Sequence, residues 1–249
     1  PEIRIFVEPA SAFARRGPES QSFSVLQEAI DAAQEYDVIG VRPGVYTGAG
    51  NINVSFRGKR ILLAALPSPF PCVLNAAGAG SGFVFTNRED RGCVLRGFVI
   101  QNPSVGGAGI LCRDSSPTIE NCLAHATESG GGSGVICVNA NPLLEQCALA
   151  YNGRYGLEAG DVSQPVIRRS ILWGNGNASI NRAGLDIQNS CIQGGYAGAG
   201  NLCADPRFYC PEQGFLHPTK DSPAMGCEPY IDSDADELPD WWEYYWWRR

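Results

Sequence analysis

The chain has 249 residues, and its 30 glycines and 17 prolines favour many turns and few long helices. The formal charge is −7 and no basic cluster precedes the terminal Arg248 and Arg249, so we expect no nucleic acid and no anionic membrane as a partner. The longest apolar run, Ile61 to Leu66, is too short to span a bilayer, which predicts no membrane insertion.

The first predicted element is a short amphipathic helix near residues 23–34. One face of it is an apolar stripe made of Leu26, Ala29, Ile30 and Ala33. Ser22 or Ser24 is placed to cap its N-terminus, and the residues Val38 to Val41 that follow are predicted to be extended. We expect the helix to cover the open end of a stack of strands, because an uncovered end would pair with other chains.

Three segments in the middle of the chain are copies of one motif. They begin at Gly107, Gly132 and Tyr155 and read GAGILCRDSSPTIENCLA, GSGVICVNANPLLEQCAL and YGLEAGDVSQPVIRRSIL. Each copy is typical of a short strand, a turn that ends in proline, and a second strand, with Pro117, Pro142 and Pro165 standing 25 and 23 residues apart. One copy cannot bury its own apolar face, so the copies are predicted to stack as coils about 4.8 Å apart. The fold class is therefore all-β, a parallel β-helix or solenoid with a short N-terminal capping helix.

Equivalent residues of stacked coils lie above one another, which predicts columns of like side chains. Two inward apolar columns are expected, one of Ile110, Val135 and Leu157 and one of Ile119, Leu144 and Ile167. A third column is expected to contain Phe98, Cys122, Cys147, Ser170 and Cys191.

The ten cysteines form an even set without a CxxC pair, which favours extracytoplasmic disulfides over a zinc or redox site and predicts a secreted protein. The candidate disulfides join residues one coil apart, namely Cys112 with Cys137 and Cys122 with Cys147. The alternative is a ladder of reduced thiols packed as small apolar groups.

Several runs carry a resemblance to a known family: FSVLQEAIDAA, VRPGVY, SSPTIENC, ILWGNG, IQGGYAGAGN, ADPRF and DSPAMG. They resemble the pectate-lyase-like right-handed β-helix proteins of bacterial secreted multidomain chains, over roughly residues 3–228. The resemblance implies a right-handed parallel β-helix domain over residues 1–228 and an extracellular setting. It implies no activity, because many such proteins have no assigned catalysis.

Residues 229–249 are predicted to form a separate acidic and aromatic tail. The run DSDADELPDWWE resembles the calcium-binding repeats of dockerin-like and thrombospondin-type segments. The predicted Ca²⁺ ligands occupy loop positions 1, 3, 5, 9 and 12 and are Asp232, Asp234, Asp236, Asp240 and Glu243. Glu237 stands where such loops have glycine, so a solvated acidic tail is the alternative.

A dense aromatic cluster follows the acidic run and is not expected to stay exposed on a soluble monomer. Its members are Trp241, Trp242, Tyr244, Tyr245, Trp246 and Trp247. The cluster is predicted either to fold back over the last coil or to dock onto a second copy of the chain, giving a homo-oligomer or a filament.

Candidate catalytic groups are few in the repeats. Glu120 and Glu145 stand 25 residues apart and are predicted to stack one coil apart, and with Arg168 of the next coil as an ion-pair neighbour they are interpreted as a surface ladder. The alternative is a pair of carboxylates like that of a glycosidase. His125 and His217 lie 92 residues apart and are not expected to share a metal, and Ser115 and Ser116 are interpreted as turn residues.

These features favour an extracellular, non-catalytic β-helix module with a structural, adhesive or glycan-contacting role. The alternative is a polysaccharide-active enzyme, a lyase or a glycoside hydrolase, with a groove on the outer face.

Overall fold

A computed structural model describes residues 5–9, 23–66, 70–126, 131–211, 215–225 and 227, and of residues 5–9, 210 and 215 it describes the backbone alone. The predicted tail 229–249 lies outside the described residues. The described chain is an all-β right-handed parallel β-solenoid of about six turns with one short helix near its N-terminus, which confirms the predicted fold class.

Six successive coils each contribute one strand to each of three parallel sheets, which we call A, B and C, and the next coil contributes a strand to sheets A and B. Sheet A contains β2 (Asp37–Val41), β5 (Leu62–Ala65), β8 (Val94–Arg96), β11 (Thr118–Glu120), β14 (Leu143–Glu145), β17 (Val166–Arg168) and β20 (Asp186–Gln188), with β1 (Ile5–Pro9) antiparallel to β2 at its edge. Sheet B contains β3 (Gly44–Tyr46), β6 (Cys72–Asn75), β9 (Phe98–Gln101), β12 (Leu123–His125), β15 (Ala148–Ala150), β18 (Ile171–Trp173) and β21 (Cys191–Ile192). Sheet C contains β4 (Val54–Ser55), β7 (Phe83–Phe85), β10 (Ala108–Arg113), β13 (Ser133–Val138), β16 (Tyr155–Ala159) and β19 (Ala178–Ile180). A hairpin of β22 (Phe208–Cys210) and β23 (Phe215–Pro218) follows.

The helix α1 spans Leu26–Ala32, shorter than the predicted 23–34. The prediction that Ser24 caps it is wrong, because Val25 occupies the N-cap position without a side-chain hydrogen bond. The Leu26 N–H instead donates to Asn51 Oδ1 at 2.8 Å, so a loop distant in sequence supplies the acceptor that the first turn needs. Ser22 lies outside the described residues.

The two predicted apolar columns are confirmed, since β10, β13 and β16 are in register, as are β11, β14 and β17. The prolines also align: the N–H of Leu143 donates to Pro117 O at 3.0 Å, and the N–H of Val166 donates to Pro142 O at 2.9 Å. Because the side chains of a strand alternate, the inward residue of every coil joins one continuous core that fills the solenoid.

The prediction for Cys191 is wrong by one residue. Ile171 is in register with Cys191, so Ser190 continues the column of Cys122, Cys147 and Ser170. Serine suits this place because its hydroxyl accepts a backbone hydrogen bond between coils: the Ser170 N–H donates to Ser190 Oγ at 3.1 Å. A shift of one residue turns a side chain to the other face of a strand, so Cys191 lies on the outside of sheet B.

The candidate disulfides require a correction. Cys112 and Cys137 are directly in register, and so are Cys122 and Cys147, but the structure describes all four as free, buried thiols. The thiols of Cys122 and Cys147 find acceptors in the backbone, since Cys122 Sγ lies 3.3 Å from Glu120 O and Cys147 Sγ lies 3.4 Å from Glu145 O. The thiol ladder, which the sequence left open as the alternative, is thus the arrangement in this structure.

Residues beyond the last coil extend the fold in two ways. Tyr196 packs against the end of the core, and its hydroxyl accepts the Leu185 N–H at 2.9 Å. The described residues between 202 and 227, which we call the C-terminal segment, then pass over the outer face of sheet B. The described residues include no helix with the length and hydrophobicity needed to span a membrane.

Candidate functional site

The outer face of sheet A carries two columns of side chains, and we call these columns the sheet A face. The first column is mostly aliphatic and half-buried and contains Val38, Leu62, Val94, Thr118, Leu143, Val166 and Asp186. The second column is charged from the third to the sixth coil and contains Gly40, Ala64, Arg96, Glu120, Glu145, Arg168 and Gln188. The residues between them point into the core, so the register of the coils aligns an apolar strip beside a charged strip.

The predicted pair Glu120 and Glu145 lies in register on neighbouring strands. Glu120 Oε2 accepts a hydrogen bond from Arg96 Nε at 2.8 Å and lies 2.7 Å from Arg96 Nη2 in an ion pair. Glu145 is ion-paired with Arg169 of the following turn. Each carboxylate is therefore already engaged by its own guanidinium.

The expectation that Arg168 is the ion-pair partner of Glu145 is wrong. Arg168 is in register with Glu145, but its side chain turns toward the next coil, where Nη2 donates to Asp186 Oδ2 at 2.6 Å. Arg168 Nη1 also donates to Asp186 O at 3.0 Å, which explains the preference for this partner. The hydrogen bond from Arg168 lowers the pKa of the Asp186 carboxyl.

The ion pairs distinguish these two carboxylates from the free pair of a glycosidase. A glycosidase needs one carboxyl group free to donate a proton and another free to attack or to activate water. Both in-register carboxylates here are already ion-paired with arginine. A row of such neutralised pairs is suited to hydrogen bonding with an external polar surface.

The two histidines offer no exposed base on the sheet A face. His125 ends β12 on sheet B and is 2% exposed, with Nε2 3.2 Å from the side-chain nitrogen of Gln101. Burial lowers the pKa of His125 to about 4. His217 lies in β23, and across the part of the chain that the structure describes no three His, Cys, Asp or Glu side chains are grouped to hold a metal ion.

The structure also brings together a buried polar cluster that the sequence did not indicate. Glu89 is 2% exposed and accepts hydrogen bonds from the Gly58 N–H at 3.0 Å, the Asn87 N–H at 2.7 Å and the Ser115 hydroxyl at 2.9 Å. Ser115 itself is 2% exposed, so this serine and carboxylate join three coils and cannot reach a substrate. Glu89 belongs to the charged run NRED, a composition typical of solvated surface. Only the stacking of the coils places the hydrogen-bond donors around its carboxylate.

The outer face of sheet B is covered by the C-terminal segment. Leu123, Ala148, Ile171 and Cys191 point outward yet are at most 3% exposed. They form a second apolar cluster with residues of the segment, among them Leu216, Ala224 and Cys227. This covered face is not open to a ligand. Of the two other outer faces, the sheet A face carries the column of charged side chains, and we take it as the candidate site.

The predicted calcium ligands Asp232, Asp234, Asp236, Asp240 and Glu243 lie outside the described residues. So do the predicted interaction residues Trp241, Trp242, Tyr244, Tyr245, Trp246 and Trp247.

Comparison with known proteins identifies the architecture. No curated protein matches the chain. Among solved structures it is similar to pectate lyase Pel9A, with 15% identity and a TM-score of 0.41 over 69% of this chain and 54% of the lyase, so it spans about half the length of that enzyme. A family model described as "Right handed beta helix region" matches residues 75–203. Since this match covers more than half of the 249 residues, the chain belongs to the right-handed β-helix family.

Proposed function

We propose that this chain is an extracellular, non-catalytic β-helix module that has a structural or adhesive role and contacts glycan through the sheet A face. The observation that carries the proposal is the engagement of both in-register carboxylates, Glu120 by Arg96 and Glu145 by Arg169. An enzyme of this fold would need free acid and base groups converging on a groove.

The chemistry of the sheet A face supports contact with sugars. The half-buried side chains of Val94, Leu143 and Val166 offer an apolar strip on which the C–H face of a sugar ring can pack. The neighbouring charged column offers carboxylate acceptors and guanidinium donors to hydroxyl groups. Both columns repeat with the spacing of the coils, about 4.8 Å, which suits an extended partner better than a small molecule.

The test combines binding and turnover on the full chain. We expect immobilised neutral and anionic polysaccharides to retain the protein, and Leu143→Ser together with Glu145→Gln to weaken that binding at least tenfold. Val105→Ser is the matched control, because Val105 is 81% exposed in a loop away from this face. Incubation should release neither new reducing ends nor unsaturated uronates.

Two outcomes would overturn the proposal. The proposed glycan contact is refuted if the protein with Leu143→Ser and Glu145→Gln is retained as well as the Val105→Ser control. It is also refuted if no polysaccharide retains the unaltered protein. Product release that is lost in Glu120→Gln or Glu145→Gln establishes the alternative, a lyase or glycoside hydrolase.

We also propose that the tail binds Ca²⁺ through Asp232, Asp234, Asp236, Asp240 and Glu243, a proposal supported by the spacing of the oxygen ligands. Calorimetric titration of the full chain with Ca²⁺ should show one site that is lost in Asp232→Ala. A titration without heat in the unaltered chain would refute it.

Self-association through the aromatic residues of the tail is a further part of the proposed structural role, supported by their density. Deleting residues 241–249 should then lower the mass measured by sedimentation, or dissolve filaments seen by electron microscopy. An unchanged mass would indicate that the tail instead folds back over the last coil of its own chain.

A further inference from the structure

The C-terminal segment reaches sheet B through the last coil. Cys191 forms a parallel bridge with Leu202, and the Leu202 N–H donates to Ser190 O at 2.9 Å. Beyond this bridge the segment crosses the outer face of sheet B, where Leu216, Ala224 and Cys227 pack in the second apolar cluster. The segment is held there by apolar contacts and by a small number of hydrogen bonds.

Two cysteines of this cluster, Cys191 and Cys227, stand before and at the end of the C-terminal segment in the sequence. Cys191 lies on the outer face of β21 and is fully buried, and Cys227 is 7% exposed at the far end of the segment. Cys227 Sγ donates to Asn189 O at 3.1 Å, which places this thiol against the backbone two residues before Cys191. Cys191 Sγ donates to Ala204 O at 3.1 Å, at the start of the same segment.

The electrostatics agree with this placement. Burial, together with the neighbouring Cys227 and Cys203 thiols, raises the pKa of the Cys191 thiol to about 11. Cys203 is the less suitable partner, because Leu202 packs into the cluster and the next side chain of an extended segment points the other way. Cys203 is accordingly exposed.

We propose that Cys191 and Cys227 are a redox-active pair that forms a disulfide and fastens the C-terminal segment to sheet B. The oxidant is a small-molecule disulfide such as glutathione disulfide. The Cys227 thiolate attacks one sulfur of glutathione disulfide and releases one glutathione thiolate, and the Cys191 thiolate then displaces the second glutathione from the mixed disulfide. The protein loses two electrons and two protons, and one glutathione disulfide becomes two glutathione thiols.

Peptide mapping of the full chain after equilibration with reduced and oxidised glutathione tests the proposal. Trypsin cleaves after Arg182, Arg207 and Lys220, so a link between peptides 183–207 and 221–248 is expected, and reduction should dissolve it. Peptide 183–207 contains Cys191 and Cys203, so the variants assign the bond. Cys203→Ser should keep the link, whereas Cys191→Ser and Cys227→Ser should lose it.

Limited proteolysis gives an independent readout. Oxidised protein should be cleaved within residues 204–225 at least tenfold more slowly than reduced protein, and Cys227→Ser should show the fast rate under both conditions. The proposal is overturned if no link forms in excess glutathione disulfide, if it persists in Cys191→Ser, or if Cys227 is found linked to peptide 208–220, which contains Cys210. These measurements do not involve glycan, so their failure is distinguishable from failure of the proposed function.

Discussion

Glu89 holds three successive coils together through one buried carboxylate. Its oxygens accept hydrogen bonds from Gly58 in the preceding coil, from Asn87 beside it and from Ser115 in the next coil. A buried carboxylate is costly unless its oxygens are satisfied, and the surrounding donors are equally costly if the carboxylate is removed. This side chain therefore acts as a joint between coils.

Glu89→Ala is expected to lower the free energy of unfolding by about 3 kcal/mol, because buried donors lose their acceptor. Urea denaturation should show a lower midpoint at an unchanged slope. Glu120→Ala is the matched control, since its exposed ion pair with Arg96 contributes no more than about 1 kcal/mol. Equal losses in the two variants would contradict the role of Glu89.

His125 makes stability depend on pH. Burial lowers its pKa from 6.5 to about 4, so between these values the unfolded chain binds a proton that the folded chain does not. Stability therefore falls as the pH drops from 6.5 to 4. His125→Gln should remove up to about 1.4 kcal/mol per pH unit from this slope, measured by urea denaturation across the interval. An unchanged slope would show that His125 is protonated in the folded state.

A column of glycines sets how closely the coils approach at the start of sheet C. Gly82, Gly109, Gly134 and Gly156 occupy equivalent places in successive coils. A Cβ on Gly134 would lie 2.7 Å from Gly156 O, and one on Gly109 would lie 2.8 Å from Gly134 O. Ser179 takes this place in β19, the last sheet C strand of the described chain.

Gly134→Ala is expected to destabilise the protein by about 2 kcal/mol, because the added methyl group meets backbone that is fixed by the ladder. Gly160→Ala is the control, since its nearest neighbour, Cys137 O, is 3.4 Å away, and its effect should stay within about 0.5 kcal/mol. Thermal or urea unfolding of the two variants distinguishes the positions. Similar stability would mean that the coils separate easily at Gly134.

At the scale of the whole molecule, other parts of the chain cover the ends of the solenoid core and one of its outer faces. The antiparallel β1 and the helix α1 lie at the N-terminal end, and Tyr196 packs at the other end of the core. The C-terminal segment covers the outside of sheet B, which would otherwise expose an apolar column. The sheet A face has no comparable described cover and carries the column of charged side chains, which is why we assign the contact function to it.

Deleting residues 204–249 should expose Leu123 and Ile171, which are at most 3% exposed. Re-exposure costs about 1.5–3 kcal/mol for each large side chain, so we expect a lower unfolding midpoint and binding of a hydrophobic dye. Deleting only residues 229–249 leaves the second apolar cluster in place and should cause neither effect. Dye binding that is equal in the two deletions would show that the segment does not shield sheet B.

The sequence by itself determined the architecture, because a coil repeats its chemistry. Apolar residues at a spacing of 23 to 25, such as Ile119, Leu144 and Ile167, must align if each coil is to bury its face. The same reasoning found the register of Cys112 with Cys137 and of Cys122 with Cys147. It failed for Cys191 because a change of one residue in coil length reverses the face, and spacing alone does not reveal which residue shifts.

Only the tertiary structure decided the partners of the polar groups. Glu145 pairs with Arg169 and Arg168 pairs with Asp186, a choice made by side-chain reach between coils. Two of the donors around Glu89, Gly58 and Ser115, and the Asn51 cap of α1 come from residues 25 to 31 positions away, where no local pattern indicates them. Burial of an apolar face is a property of periodic sequence, whereas a hydrogen bond depends on the position of two particular atoms, and that position exists only once the coils have stacked.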